Sequence, residues 1–307
     1  MNAKSPLITL NNGVKLPALG LGVYQSSPAD TANAVETAIA NGYRLVDTAA
    51  AYLNEKQVGE GIVRSGIRRS ELVVQTKLWI SDYGYDRTLH AFDRSSRNLR
   101  LDYVDVYLLH WPMPSHFEAT VASYRAAEKL MTDGRVRAIG VCNFSPKHLD
   151  DLIARTEVVP ALNQVELHPL FTQRPLREAH ARHRVLTQAW SPLGGVNVYT
   201  AREPNAPKNP LEQPNIRDLA LKYGKTPAQI VLRWHIEHGL SAIPKSVRPA
   251  RIAENIDIFD FRLAPEEVAA IDALDTDVRG GPDPERVDTK MFTFAIPETD
   301  EAVASHR

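Results

Sequence analysis

A single cysteine, Cys142, stands in the 307 residues, which excludes an internal disulfide and a thiolate zinc cluster. Net charge is equally scarce. The 36 basic side chains are balanced by 37 acidic ones, so no excess of either sign recommends nucleic acid or an anionic membrane as a partner. No apolar run approaches the roughly 18 residues of a membrane span, and the opening MNAKSPLITLNNG lacks the core of a signal peptide. Low-complexity segments and long linkers are missing too, and no strand is followed by a complete G-x-G-x-x-G phosphate turn; GLGVYQS supplies only the first two glycines. These absences set the expectation of a cytoplasmic protein whose partner is a small molecule; a monomer is expected, with a dimer as the alternative.

What is present is a rhythm. After an opening hairpin across Asn11-Asn12-Gly13 come eight short apolar runs: ALGLGVY, RLVDTA, LVVQTKLW, VDVYLLHW, VRAIGVCN, ALNQVEL, VLTQAWS and LSAIPKS. Near-continuous apolar runs of this length suit parallel strands covered on both faces. Between them, Ser27-Pro28, Ser145-Pro146 and Thr226-Pro227 read as helix N-caps with proline in the first turn. Asn54 with Gln57 reads as a capping box. Gly42, Gly134, Gly224 and Gly239 close helices just before strands. The pattern predicts an α/β fold, a (β/α)8 TIM barrel with an N-terminal β-hairpin, in one domain over 1–307. Its core would span about 7–281, with a tail over 282–307. Two polar, proline-containing stretches stand apart from the rhythm: 194–215, and the segment from Asp275 onward with its apolar patch MFTFAI.

In such a barrel the C-terminal ends of the strands form the mouth where chemistry occurs. Read in order, those ends carry Gly22-Val23-Tyr24, Asp47, Lys77-Leu78-Trp79, His110-Trp111, Cys142-Asn143, Gln164 to Glu166, Trp190-Ser191 and Lys245-Ser246. Tyr52 falls in the loop after the second strand. Singly, each has a plain structural reading: Asp47 as a loop acid, Tyr52 as packing, Lys77 reaching for water, His110 as a hydrogen-bonded core histidine. Together at adjacent strand ends they describe one task. A buried lysine needs a carboxylate, and Asp47 is beside it. A cation next to a phenol of ordinary pKa about 10 favours phenolate and eases proton donation. His110 can hydrogen-bond the same oxygen. The set suits an oxyanion forming as a carbonyl accepts hydride, with the hydride supplied by a cofactor. Tyr24, Trp79 and Trp111 read either as core filler or as the lining of a substrate pocket.

With GLGVYQ, GYRLVDTAAAYLNEKQVG, TKLW, YLLHWP, GRVRAIGVCNFS, LNQVELHP and IPKSVRPARIAENI in this order from about Leu7 to Gly281, the chain resembles the aldo-keto reductases, and within them the bacterial 2,5-diketo-D-gluconate reductase-like members. The resemblance implies that Asp47, Tyr52, Lys77 and His110 are the catalytic tetrad, with Tyr52 as general acid. It implies that Asn143 and Gln164 hold a nicotinamide carboxamide and that Trp190, a tyrosine in many members, stacks on the ring. Gly22, Val23, Ser191, Leu193 and Gly194 would meet ribose and pyrophosphate. Lys245, Ser246 and Arg251 would clamp a 2′-phosphate, and Glu254 and Asn255 would meet the adenine. NADPH/NADP+ is therefore the expected cofactor, with NADH disfavoured. Cys142 replaces the serine usual in GVSNF.

The expected substrates are small polar dicarbonyls, keto sugars or aromatic aldehydes, and the short WPMPSHFEAT segment suggests an open mouth. Two other readings compete. One is a cofactor-binding, redox-sensing regulatory subunit with little turnover; the other is an unrelated barrel hydrolase using Asp47 and His110. The pairs His180/His183 and His235/His238 read as polar helix faces, and no metal site is assigned.

Overall fold

The structure, a computed structural model, describes residues 5–194 and 209–298. Strands β1 (Leu7–Thr9) and β2 (Lys15–Pro17) pair antiparallel as the expected hairpin. Eight parallel strands come after it in sequence order: β3 (Leu21–Gly22), β4 (Leu45–Asp47), β5 (Val73–Leu78), β6 (Val104–Leu109), β7 (Val136–Cys142), β8 (Leu162–Glu166), β9 (Leu186–Trp190) and β10 (Ser241–Ala242). The ring closes between its ends, where the Gly20 and Gly22 amides donate to the carbonyls of Ala242 at 2.9 Å and Pro244 at 3.0 Å. β10 stops early in its apolar run because Pro244 has no amide to continue the ladder.

Helices alternate with the strands: α1 (Pro28–Ala40), α2 (Glu55–Ser65), α3 (Tyr85–Leu99), α4 (Phe117–Thr132), α5 (Pro146–Ile153) and α6 (Arg174–His183). α7 (Pro214–Tyr223) and α8 (Pro227–Glu237) precede β10, and α9 (Pro249–Ile256) and α10 (Pro265–Asp272) come after it. Ser27, Ser145 and Thr226 cap α1, α5 and α8 with their side chains, the last two in full capping boxes. Gly42, Gly134, Gly224 and Gly239 all take the left-handed conformation expected of them.

One expected cap does not form. The Asn54 side chain makes no bond to the first turn of α2. It is buried instead, accepting from the Thr48 hydroxyl at 2.9 Å and donating to the Val23 carbonyl at 2.9 Å. A buried amide has both ends to satisfy, and stapling the loops after β3 and β4 satisfies both where a cap would use one.

The barrel interior is layered by the period-2 alternation of its strands. At the bottom, Leu10 and Leu16 of the hairpin plug a dry layer with Leu45, Val106, Ala138 and Leu162. Two residues further along the same strands, the layer turns polar with Asp47, Gln75, Gln164 and Gln188, all buried. One step higher stand Lys77, Cys142, Glu166 and Trp190. A second apolar layer, including Val46, Tyr107, Ile139 and Val141, lies between strands and helices.

The expectation for 194–215 falls mainly on residues 195–208, outside the described residues; the chain beyond them forms a short 3-10 turn, Pro210–Glu212. Residues 299–307 of the tail also lie outside them. The remainder of the tail folds back across the mouth.

Candidate active site

Alternation along β5 places Val73, Gln75 and Lys77 on the inner face, and register pairs Gln75 with Asp47 of β4. The Lys77 ammonium is fully buried and spends its three donors on three acceptors: Asp47 Oδ2 at 2.7 Å, the Thr48 carbonyl at 2.9 Å and Tyr52 Oη at 3.2 Å. The other carboxylate oxygen, Asp47 Oδ1, accepts from Gln75 Nε2 at 2.6 Å and Gln164 Nε2 at 2.9 Å. Gln188 Oε1 accepts from the same two amides, at 2.7 and 2.8 Å. The glutamines hold Asp47 within this one buried layer. Nothing in the sequence pattern assigns Gln75 or Gln188 this part, since both sit inside apolar runs rather than at strand ends.

Tyr52 ends the 3-10 turn Ala50–Tyr52, and Leu53 at φ 54° turns the chain into α2. Its half-buried ring lies 5.8 Å from the His110 ring, edge to face. His110 Nδ1 is buried with no hydrogen-bond partner among the described residues. The four residues expected to act together are therefore together.

Their protonation is set by burial and by Lys77. Burial raises the Tyr52 phenol above its ordinary value, and Lys77, although it pulls the other way, does not outweigh it. The net lowering expected from the lysine does not hold: the cation acts in the expected direction against a larger desolvation. Burial also works against the Lys77 ammonium, but the charges of Asp47 and Tyr52 more than offset it and raise its pKa. Burial and the neighbouring Lys77 hold His110 well below the usual histidine range, so its ring is neutral near pH 7.

The residues expected around a nicotinamide sit at the ends of β7, β8 and β9. Asn143, at φ 64°, donates from Nδ2 to the His110 carbonyl at 3.1 Å and accepts the indole N–H of Trp190 at 2.9 Å. That second bond exists because a tryptophan stands at 190, with its N–H directed toward the amide. Gln164 has committed its N–H groups to Asp47 and Gln188 within its own layer. Gly22 faces strand closure directly: a Cβ there would stand 2.8 Å from the Ile243 carbonyl oxygen. Val23 turns its side chain into the core. Ser191, Leu193 and Gly194 come after β9, with Ser191 and Gly194 at φ 46° and 78°.

At the start of α9, Lys245, Arg248 and Arg251 are all exposed, and none makes an ion pair among the described residues. Three solvated cations around a helix N-terminus fit a phosphate group; Arg248 joins the two expected ones by its place in the turn. Glu254 accepts from the Thr226 hydroxyl at 2.9 Å, and Asn255 is buried beside it.

The opposite side of the mouth is aromatic. Trp79 and Trp111 are buried, and Tyr24, half-exposed, meets Tyr52 edge to face at 5.1 Å. The expected open mouth is corrected by the tail. Phe294 stacks on Trp79 at 4.8 Å and accepts its indole N–H on the backbone carbonyl at 3.1 Å. Phe292 packs on both Trp79, at 5.3 Å, and Trp111, at 5.8 Å. The MFTFAI patch is visible in the sequence, but its docking place is not.

One histidine of each pair, expected on a polar helix face, is also corrected. His180 is buried, bonded to Asn163 Nδ2 at 2.9 Å and the Thr187 hydroxyl at 2.7 Å, and His235 is buried against the Pro192 carbonyl at 3.0 Å. Each therefore has a packing role inside the fold. No group of three metal-ligating side chains occurs among the described residues, and no helix among them is long and apolar enough to cross a membrane.

Comparison with known proteins gives the family. The model of the Aldo/keto reductase family matches residues 18–276. The chain is 55% identical to a morphine 6-dehydrogenase of Pseudomonas putida, over 95% of this chain and 99% of that protein. It is 46% identical to methylglyoxal reductase DkgA of Escherichia coli K12, over 92% and 98%. Among solved structures, a Bombyx mori aldo-keto reductase in complex with NADP superposes with a TM-score of 0.84 at 35% identity, covering 95% of this chain and 97% of that one.

Proposed function

The chain belongs to the aldo/keto reductase family, and from that premise we propose that it reduces aldehydes and ketones to alcohols with NADPH, Tyr52 delivering the proton. The observation that carries this reading is the bridge formed by Lys77, 2.7 Å from Asp47 and 3.2 Å from Tyr52. Bound NADPH supplies hydride to the carbonyl carbon.

The chain's own residues do the rest. Burial keeps Tyr52 protonated, so a proton is present at Oη when the substrate arrives. Lys77, held charged by Asp47, stabilises the phenolate left behind, which lowers the cost of giving that proton up. Neutral His110 donates a hydrogen bond to the same carbonyl oxygen and fixes its direction. Trp190 offers the half-buried indole face against which a nicotinamide stacks, with Asn143 beside it. Lys245, Arg248 and Arg251 receive the 2′-phosphate, which supports NADPH over NADH.

The aromatic mouth bears on substrate. Tyr24, Trp79, Trp111, Phe292 and Phe294 present ring faces and edges that bind apolar bodies. Carbonyl compounds with an aromatic or alicyclic body are therefore preferred, ahead of small dicarbonyls and keto sugars. The names of the relatives, a dehydrogenase of morphine and a reductase of methylglyoxal, span the same range. Loss of NADPH absorbance, followed with aromatic aldehydes, alicyclic ketones, methylglyoxal and keto sugars, tests the reading. Turnover should fall in that order; a panel on which no NADPH is consumed would overturn it.

A further inference from the structure

Glu166 ends β8 on the inner face of the barrel and is fully buried. A buried carboxylate demands donors, and two of the three here come from far along the chain. Oε1 accepts from the Gly280 amide at 2.8 Å and from His168 Nε2 at 3.1 Å; Oε2 accepts from the Gly281 amide at 2.8 Å. Arg279, set 4.9 Å over the Phe171 ring, adds a favourable charge nearby. A carboxylate at a strand end thus holds the backbone from which the tail departs.

The same spot touches the cofactor side. Glu166 is the register partner of Trp190 on the neighbouring strand. A Cβ on Gly281 would lie 2.6 Å from Cη2 of Trp190 and 3.0 Å from Glu166 Oε2. Only a residue without a side chain fits between indole and carboxylate. Eleven residues beyond Gly281 the tail lays Phe292 across Trp79 and Trp111.

We propose that Glu166 is a positioning residue that couples the two halves of the site. By fixing Gly280 and Gly281 it wedges the indole of Trp190 into its stacking position and sets the path on which Phe292 and Phe294 close the substrate mouth. The inference rests on the reading of Trp190 as the nicotinamide platform. Cofactor affinity and the affinity for bulky substrates are therefore set by one carboxylate that touches neither.

The test uses the full chain with Glu166→Gln and Gly281→Ala. Gln keeps the size of Glu but replaces one accepting oxygen with an NH2, so one glycine amide loses its acceptor. In the protein without cofactor, amide hydrogen exchange of 280–296 should speed up about tenfold in Glu166→Gln, the scale of a lost charge-assisted hydrogen bond, while exchange in β5 to β7 is unchanged. In both variants the NADPH Kd, read from quenching of tryptophan fluorescence, should rise about tenfold. The KM for an aromatic aldehyde should rise by more than kcat falls. If Glu166→Gln does not fold, Gly281→Ala decides by the same two affinities. Wild-type NADPH affinity together with wild-type KM overturns the proposal. A failure of the reductase reading would show instead as absent turnover in the unaltered protein, leaving the exchange and quenching results to stand or fall separately.

Discussion

Lys77 Nζ lies 3.2 Å from Tyr52 Oη and 4.8 Å from the centroid of the same ring, so one ammonium serves the phenol through both its oxygen and its π face. The contact only matters to catalysis if Tyr52 loses its proton. In Tyr52→Phe the ring and its packing remain, and the proton does not. We expect NADPH binding to be retained, measured by fluorescence titration, while kcat for aldehyde reduction drops at least ~10²-fold, the usual scale of general-acid catalysis. Aldehyde reduction at nearly the wild-type rate would assign the acid elsewhere.

The pair Asp47 and Lys77 is buried on both sides, with side-chain exposures of 2% and 0%. Removing one partner strands the other. In Asp47→Leu the ammonium keeps only Thr48 and Tyr52, and the Gln75 and Gln164 amides lose one of their two shared acceptors. A stability loss of about 3–5 kcal/mol is expected in urea unfolding, as for other broken buried pairs. An unfolding midpoint within error of wild type would mean that water reaches the pair.

Most of this site is legible in the sequence because it depends on local period. Asp47, Lys77 and His110 stand at or beside the ends of neighbouring strands, and strand ends are visible where an apolar run gives out. What is not legible depends on chain segments far apart. Glu166 looks like any strand-end residue, since its partners Gly280 and Gly281 lie 114 and 115 positions away. The docking of Phe292 and Phe294 on Trp79 is equally non-local. Asn54 shows the opposite failure: its local pattern is that of a cap, and a buried hydrogen-bond network outcompetes it. β10 at the barrel seam is cut back because Pro244 has no amide to continue a ladder that the apolar pattern alone extends.

His180 and His235 make stability depend on pH. Burial, the largest influence on each, pushes both rings down to about 3 from the ordinary 6.5. Their unfolded forms therefore bind protons that the folded forms refuse. The stability they permit is complete above about pH 6.5 and is lost as pH falls toward 3. The loss should be on the order of 1 kcal/mol per histidine for each pH unit below about 6.5. Urea midpoints measured from pH 7.5 to 5 should fall accordingly, and His180→Gln should flatten the slope. An unchanged slope in that variant would locate the proton uptake elsewhere.

Arg251 is exposed and unpaired among the described residues, so its charge is available to a ligand and contributes little to the fold. Arg251→Ala should raise the KM for NADPH severalfold, on the order of tenfold for a lost charge-assisted contact, and change the KM for NADH much less. Added salt should narrow the difference, because the contact is solvated and screened. Equal effects on the two cofactors would remove Arg251 from the 2′-phosphate site.

The tail supplies the last wall of the mouth. Trp79 is only 4% exposed, and Phe292 and Phe294 cover it while its indole N–H is bonded to the Phe294 carbonyl. Ending the chain after Gly281 keeps the two amides that Glu166 holds and removes both phenylalanines. Trp79 and Trp111 then meet water, and a red-shifted tryptophan emission should report it. An aromatic substrate loses two ring neighbours worth about 0.5–1.5 kcal/mol each. Its KM should therefore rise about tenfold, given that about 1.4 kcal/mol is a factor of ten. A small aliphatic aldehyde, which cannot span from Tyr52 to the tail rings, should show a much smaller change. If both substrates weaken equally, the tail acts on the catalytic residues themselves, and the aromatic wall is not what selects the substrate.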